Sequence, residues 1–531
     1  MLFENKVLVG LNSDLEGQYI LLDKANRHGL IAGATGSGKT ITLKVLAEAF
    51  SDAGVPVFLA DVKGDISGIC KSGVDSEKIR ERVSKLGINN FEFKAYPTMF
   101  WDIFGEKGLP LRTTITEFGP VLLARLLNLN QIQSDILNIV FKIADEEGLL
   151  LIDVKDLKSM LNYVSENAEV YRESYGNIAP QSIGAIMRGI VSLESRGGNT
   201  YFGEPALDLA DWFSQDTSGK GMINVLDSSS LINDSLAYSS FMLWLLAELF
   251  ENLPEVGDTP KPKMVFFFDE AHLLFKDTPK VLLNKIEQVI KLIRSKGIGV
   301  FFITQNPTDI PDSVLAQLGN KVQHALRAYT PAEQKAVKAA ANSYRVNPKF
   351  KTDEVINELG TGEAVVSFIT NDGSPSVAEK VTVLPPQSLM GAVDEITRQA
   401  TILASPLNKK YKDMIDRDSA YEFLARKKIE EDELRQKQKN DRLLEIEAQK
   451  QEKLLQKENE KLEKQRQKQE AADQRRVKRS VATVAGSVVG TVGREVGNTL
   501  GKSIGGSFGK RLGGNLGASL GRGILKNLFK L

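Results

Sequence analysis

The residues best able to do chemistry stand eight in a row. Gly33-Ala34-Thr35-Gly36-Ser37-Gly38-Lys39-Thr40 fits the pattern G-x-x-x-x-G-K-[ST]. An apolar stretch, Gly29-Leu30-Ile31-Ala32, precedes it, and an apolar-periodic stretch begins at Ile41. A strand that delivers such a loop and a helix that leaves it point backbone N–H groups at a phosphate. The glycines take backbone angles that other residues avoid and let the chain approach a ligand closely. In this reading residues 33–40 cradle ATP, Lys39 reaches its β- and γ-phosphates, and Thr40 holds Mg²⁺.

Hydrolysis needs more than binding. The apolar run Met264-Val265-Phe266-Phe267-Phe268 ends in two adjacent carboxylates, Asp269 and Glu270. Asp269 is expected to hold the Mg²⁺ shell, through water or Thr40, and Glu270 to polarise the attacking water. His272 reads as a packing or hydrogen-bonding residue. A second buried run, Gly299-Val300-Phe301-Phe302-Ile303, ends in Thr304 and Gln305. On an adjacent strand Gln305 would lie near the γ-phosphate and sense its loss. Phosphoryl transfer also gains from an arginine that neutralises developing charge, often supplied by a neighbouring subunit. Arg294, just before that run, is the candidate, and Arg327 is the alternative. An arginine at a helix C-terminus is favoured there in any case.

The elements that must position these groups are legible in outline. A helix over about 40–52 follows the loop, Gly54 ends it, and 57–60 is a buried strand. This strand–loop–helix–strand start implies a parallel sheet covered by helices. Short strands at 7–9 and 19–22 lead in. Residues 106–216 read as a mostly helical insertion. The sheet resumes at 222–226 and continues at 264–268, 299–304 and 322–326. A hairpin-like pair, 364–369 and 381–384, flanks the turn Asn371-Asp372-Gly373.

At 531 residues the chain has room for several domains and a large core. One cysteine, Cys70, excludes a disulfide framework and fits a reducing cytoplasm. The first residues lack a signal-peptide core, and no charge-free apolar run reaches the ~20 residues of a membrane span. The net charge of zero hides an asymmetry. Residues 406–531 carry 29 Lys and Arg against 18 Asp and Glu, whereas 1–405 carry 39 against 50. An acidic body is not coated for nucleic acid, so any DNA contact there needs a local site.

Residues 406–479 read as a long charged helix, solvated or in a weak coiled coil, since Leu434, Leu443, Leu444, Leu454, Leu455 and Leu462 supply few apolar seams. Residues 480–531 are a Gly-rich basic tail in which apolar residues recur every fourth position, as at Leu500, Ile504, Phe508 and Leu512. Thirteen of the 44 glycines lie in 481–531, and each costs a helix about 1 kcal/mol relative to Ala. A flexible tail, self-association and contact with an anionic membrane all fit. The excess of Lys and Arg suits anionic lipid and DNA phosphates alike.

The set GATGSGKT, MVFFFDEAH, Arg-Ser-Lys-Gly before a strand, and FFITQNP resembles the HerA/FtsK group of P-loop ATPases. The stretches Asp61-Val62-Lys63-Gly64-Asp65-Ile66-Ser67-Gly68 and 25–33 look closer still to the bacterial HerA-like family that includes YjgR. The resemblance covers about 15–390. It implies a RecA-like α/β fold and Mg²⁺-dependent ATP hydrolysis. By match of motif, Lys39 and Thr40 are the Walker A pair, Asp269 and Glu270 the metal-shell and catalytic acids, Gln305 the sensor and Arg294 the finger. Members form hexameric rings and many pump DNA, which makes a DNA motor the leading expectation. HerA itself carries an N-terminal β-barrel where about 28 residues stand here, so the resemblance reaches the ATPase core. The rival expectation is a motor or switch acting on protein or membrane partners through the tail. The chain is expected in the cytoplasm, with the tail able to hold it at a membrane.

Overall fold

The structure is a computed structural model that describes residues 1–231, 234–257, 259–276 and 278–480. The Gly-rich repeat of 481–531 lies outside the described residues. The chain divides into two units, Met1–Glu431 and the remainder from Asp432.

One sheet organises the first unit. In chain order its strands are β1 (Leu2–Phe3), β2 (Lys6–Leu11), β3 (Gly17–Leu21), β4 (Gly29–Ala32), β5 (Val57–Asp61), β6 (Thr98–Asp102) and β7 (Leu109–Pro110). Then follow β8 (Ile223–Asp227), β9 (Met264–Phe268), β10 (Ile298–Thr304), β11 (Asn320–Gln323), β12 (Glu363–Ser367) and β13 (Glu379–Val383). In space the order runs β1-β2-β13-β12-β11-β4-β10-β9-β5-β8-β6-β7, with β3 on β2. From β11 to β7 every pairing is parallel. β12, β13, β2, β1 and β3 extend it antiparallel.

The parallel strands read as continuous apolar runs because helices cover both faces. Every residue of β4, β5, β8, β9 and β10 is buried. Phe267 and Phe301 stack across β9 and β10 with centroids 5.1 Å apart. The helix Lys39–Asp52 is buried on nearly all sides, which explains its weak amphipathic pattern.

Five helices, Ile115–Leu126, Gln131–Glu146, Val154–Glu166, Ala168–Tyr175 and Pro180–Ser195, fill much of the stretch between β7 and β8. Three open on reciprocal caps: Thr114 with Glu117, Asn130 with Gln133, and Asp153 with Asp156. The strand β6 was not foreseen. Its Thr-Met-Phe-Trp-Asp run is short and follows an irregular segment, so it shows no periodicity. The helix Ala420–Ser480 begins in the first unit, where Leu424 is buried and Ser419 Oγ donates to Asp156 Oδ1 at 2.6 Å. In the second unit Leu434, Leu443, Leu444, Leu454, Leu455 and Leu462 are exposed. Among the described residues no helix is long and apolar enough to cross a membrane.

Candidate nucleotide-hydrolysis site

In a parallel sheet, loops at the carboxyl ends of the strands form the ligand crevice. Here β4 delivers residues 33–40 to that edge between β10 and β11, with β9 and β5 next in line. The loop is pinned on both sides. Gly33 N donates to Thr304 O at 3.3 Å and Ala34 N to Ala325 O at 2.8 Å. Two glycines are required by close approach. A Cβ on Gly33, at φ +153°, would stand 2.5 Å from His324 Cβ, and one on Gly38, at φ +118°, 3.2 Å from Gly362.

The loop fits a phosphate chain on two counts. The first-turn N–H groups of a helix have no intrahelical acceptor, and Gly38 gives this helix no side-chain cap. Lys39 folds back to donate to Gly33 O at 2.6 Å and Ala34 O at 3.0 Å. Burial lowers its pKa, and repulsion from Lys63 adds to the shift. An anion drawing near favours the charged lysine and opposes both effects. Thr40, half-buried, is the second residue of the same helix.

Asp269 and Glu270 leave the end of β9, one strand beyond β10. Both are buried, 7% and 6% exposed. Burial, then the charge of Glu270, pushes the Asp269 pKa up to about 6. A divalent cation would relieve that cost. Among the described residues no cluster of three or more His, Cys, Asp or Glu forms a metal cage. Mg²⁺ needs none, because it is bound by one or two carboxylates together with substrate phosphates and water.

Glu270 sits at φ +47°, a strained angle for a side-chain-bearing residue that persists where surroundings enforce it. The next residue is tied down, Ala271 N donating to Ile303 O at 2.8 Å. Glu270 Oε1 lies 2.9 Å from Lys63 Nζ. Gln305 Nε2 donates to Oε1 and Oε2 at 3.3 and 3.4 Å. Thr35 Oγ1 in turn donates to Gln305 Oε1 at 3.5 Å, so Gln305 bridges loop and carboxylate. His272 Nδ1 stands 3.4 Å from Oε2 without hydrogen-bond alignment. Burial works to raise the Glu270 pKa, but the Lys63 bond and charge overcome it and hold it below the ordinary carboxylate range.

The structure therefore brings together the loop, Lys39, Asp269, Glu270 and Gln305. It does not bring Arg294 to them. Arg294 is exposed and precedes β10, whose seven residues put it about 20 Å from the strand's carboxyl end. Its carbonyl accepts from Asn26 Nδ2 at 3.5 Å. Arg327 is exposed two residues past Ala325, on the loop's own side.

Three residues at this edge were not singled out from sequence. Lys63 follows β5, in a turn shaped by Asp61. That carboxylate accepts from Gly64 N at 2.7 Å and Ile66 N at 3.0 Å. His324 braces the loop from behind: Nε2 meets Thr42 Oγ1 at 2.8 Å and Nδ1 meets Glu363 O at 2.9 Å. Arg82 holds the adjoining turn, donating to Thr361 O and Gly362 O at 3.0 Å, while Gly362 N donates to Ser37 O at 3.0 Å. The signal for Lys63 was present, a lone cation at the end of a buried strand. Only the strand order showed which acid it faces.

Known proteins resemble this chain in sequence and in fold. The family model for the helicase HerA-like C-terminal region matches residues 7–512. A DNA double-strand break repair helicase HerA from Sulfolobus acidocaldarius is 24% identical over 371 residues, 68% of this chain and 65% of that relative. The protein of the same description from Sulfurisphaera tokodaii is 25% identical over 375 residues, 68% and 67% of the two chains. This chain thus spans about two thirds of the length of these relatives. Among solved structures, the plasmid coupling protein TrwB bound to a non-hydrolysable ATP analogue superposes with a TM-score of 0.50 at 14% identity, covering 74% of this chain and 97% of that one. The likeness confirms the α/β fold. With the family model spanning nearly the whole chain, the chain belongs to the HerA-like C-terminal helicase family.

Proposed function

We propose that the chain is a Mg²⁺-dependent motor that hydrolyses ATP and acts on DNA as a ring of like subunits. One observation supports the hydrolytic reading above others. Glu270 and the phosphate loop, 230 residues apart in sequence, are linked through Gln305 and Thr35. Lys39 and the first-turn N–H groups bind the phosphates of ATP and orient the γ-phosphoryl group. Thr40 and Asp269 hold Mg²⁺, which neutralises charge on the phosphates when bound. Glu270 orients a water and takes its proton, and Gln305 keeps the carboxylate aimed at the loop. Glu270→Gln lowers turnover by about 10²- to 10⁴-fold in this reading. Unchanged turnover in that variant would sink the assignment.

Arg294 lies at the edge opposite its own loop, so it serves a neighbour's site; Arg327 is the second candidate. Subunits carrying Lys39→Ala and subunits carrying Arg294→Ala should each be inactive, and mixing them should restore part of the turnover. No recovery on mixing argues against Arg294 and turns the same test to Arg327.

DNA is favoured over a membrane by one patch in an otherwise acidic body. Residues 327–351 carry six basic side chains against one acidic, Glu333. Glu333 is committed to capping a helix, accepting from Tyr329 N and Thr330 N at 2.8 Å. Lys335, Lys338 and Arg345 are exposed beside Tyr329 and Val346, which are 81% and 79% exposed. Double-stranded DNA should raise ATP turnover, and the effect should fall steeply with salt because phosphate contacts release counterions. Lys338→Ala with Arg345→Ala should reduce the salt slope by about 2. Turnover indifferent to DNA across low salt removes the DNA reading and leaves a protein or membrane partner, reached through residues 480–531.

A further inference from the structure

Glu270 is held by protein groups at both oxygens. Lys63 Nζ lies 2.9 Å from Oε1, and Gln305 Nε2 donates to both oxygens. To take a proton from water, the carboxylate must turn an oxygen to that water, and the hold of Lys63 on Oε1 resists the turn. Gln305 is neutral and its bonds are long, whereas the Lys63 bond is charge-assisted and the stronger hold.

Lys63 is also the partner built to move. Its side chain is 37% exposed against 7% for Glu270. It stands in a turn after β5, not on a strand or helix. Asp61 fixes that turn through Gly64 N and Ile66 N but leaves the long lysine stem free to swing. β5 pairs with β9, so the turn faces the Asp269–Glu270 end. Lys39 is likewise parked, on the carbonyls of its own loop. Burial first, then repulsion from Lys63, lowers the Lys39 pKa. Both lysines rest on internal acceptors at a place where a triphosphate would compete for them.

We propose that Lys63 is a positioning residue that restrains Glu270 in the empty site and is drawn off by the γ-phosphate of ATP, so the water-activating carboxylate is released only after ATP has bound. The inference rests on the reading of Glu270 given above. The exchange re-pairs charges and breaks no covalent bond. Its thermodynamic consequence is direct: Glu270 and the γ-phosphate compete for one cation, so removing the Glu270 charge must strengthen triphosphate binding through Lys63. Coupling by linkage holds for binding and needs no turnover to be read.

The test is a binding cycle on the full chain with Mg²⁺ present. A non-hydrolysable ATP analogue and ADP are titrated against the parent, Glu270→Gln, Lys63→Met and the double variant, with Tm recorded for each. Glu270→Gln should bind the analogue about tenfold more tightly than the parent, and ADP no differently, because ADP lacks the competing phosphate. In the Lys63→Met background the gain should vanish. Lys63→Arg should restore it. The same cycle with Lys63→Gln decides the matter if the Met variant fails to fold. Equal analogue affinity in parent and Glu270→Gln overturns the proposal, as does a gain that persists without Lys63 or that ADP shares. The underlying reading fails separately, if Glu270→Gln turns over ATP as fast as the parent whatever the binding cycle shows.

Discussion

Two acid–base pairs stand at the same edge of the sheet, two strands apart, and they are built differently. Asp227 ends β8 and pairs with Arg398 Nη1 at 3.1 Å, with side chains only 4% and 7% exposed. The guanidinium lies 5.0 Å from the centre of the Phe100 ring and also donates to Lys107 O. Asp227 accepts further from Ser229 N and Oγ. Glu270 and Lys63 have the same chemistry at similar distance, but the lysine is open to solvent and held by one partner. A rigid fork locked over a ring is suited to holding structure. A single point charge on a flexible stem is suited to changing partners. The lesson is that burial of the cation, more than the presence of the pair, separates a strut from a working contact.

The comparison breaks most sharply at its two ends. Glu270→Gln should cost about 10²- to 10⁴-fold in ATP turnover while leaving the melting temperature within a few degrees. A large fall in both would place Glu270 among the struts. Arg398→Ala should do the reverse. Removing one partner of a buried pair costs about 3–5 kcal/mol, and Asp227 would keep only Lys107 Nζ, 3.9 Å away, as a counter-charge. Denaturant titration should show that loss, with turnover per folded molecule little changed at low temperature. Lost turnover in a protein of parental stability would mean that Arg398 acts on the site.

This division also marks how far the residues could be read before the fold. The strands β4, β5, β8, β9 and β10 announced themselves because burial on both faces demands unbroken apolar runs. The loop did so because only a few residue types can wrap a phosphate. Lys39, Thr40, Asp269, Glu270 and Gln305 lie in or directly after those runs, so strand ends located them. Arg398, His324 and Arg82 carried no such mark. Each is a polar residue in an ordinary helix, strand end or loop, and its meaning lies in a partner tens to hundreds of positions away. Strand order supplies those partners, and it is set by packing across the whole sheet rather than by any local pattern.

The histidine brace sharpens the comparison on the side of the struts. Burial pushes the pKa values of His28 and His324 down to about 4. Both are buried, with His28 Nδ1 accepting from Val300 N at 3.1 Å. A folded pKa below the unfolded value of about 6.5 means the unfolded chain binds more protons between the two. The stability from each neutral ring is therefore whole above about pH 6.5 and is lost as pH falls toward 4, by up to about 2 kcal/mol each at pH 5. Asp61 runs the opposite way. Burial and its acidic neighbours raise its pKa to about 7, so its contribution is present at low pH and is lost as pH rises through 7. The isolated effect must be read by difference. Parent and His324→Gln should differ in stability by less at pH 5 than at pH 7.5, because the glutamine has no proton to gain. A constant difference across that range would show that His324 binds its proton in the fold as it does in the unfolded chain.

The smallest effect is the most telling. Lys63→Met removes the cation from the pair at Glu270 just as Arg398→Ala does at Asp227, yet it should change unfolding stability by no more than about 1 kcal/mol. Half-exposed pairs yield little because water and side-chain entropy offset the attraction. Gln305 still satisfies both oxygens of Glu270, and Met keeps most of the apolar stem in place. A loss near that of Arg398→Ala would make the two pairs alike and leave Lys63 no freedom to change partners. A loss near zero, together with altered triphosphate binding, separates them. A similar distance between an acid and a base then serves the fold at β8 and the reaction at β9, because only one of the two cations can leave.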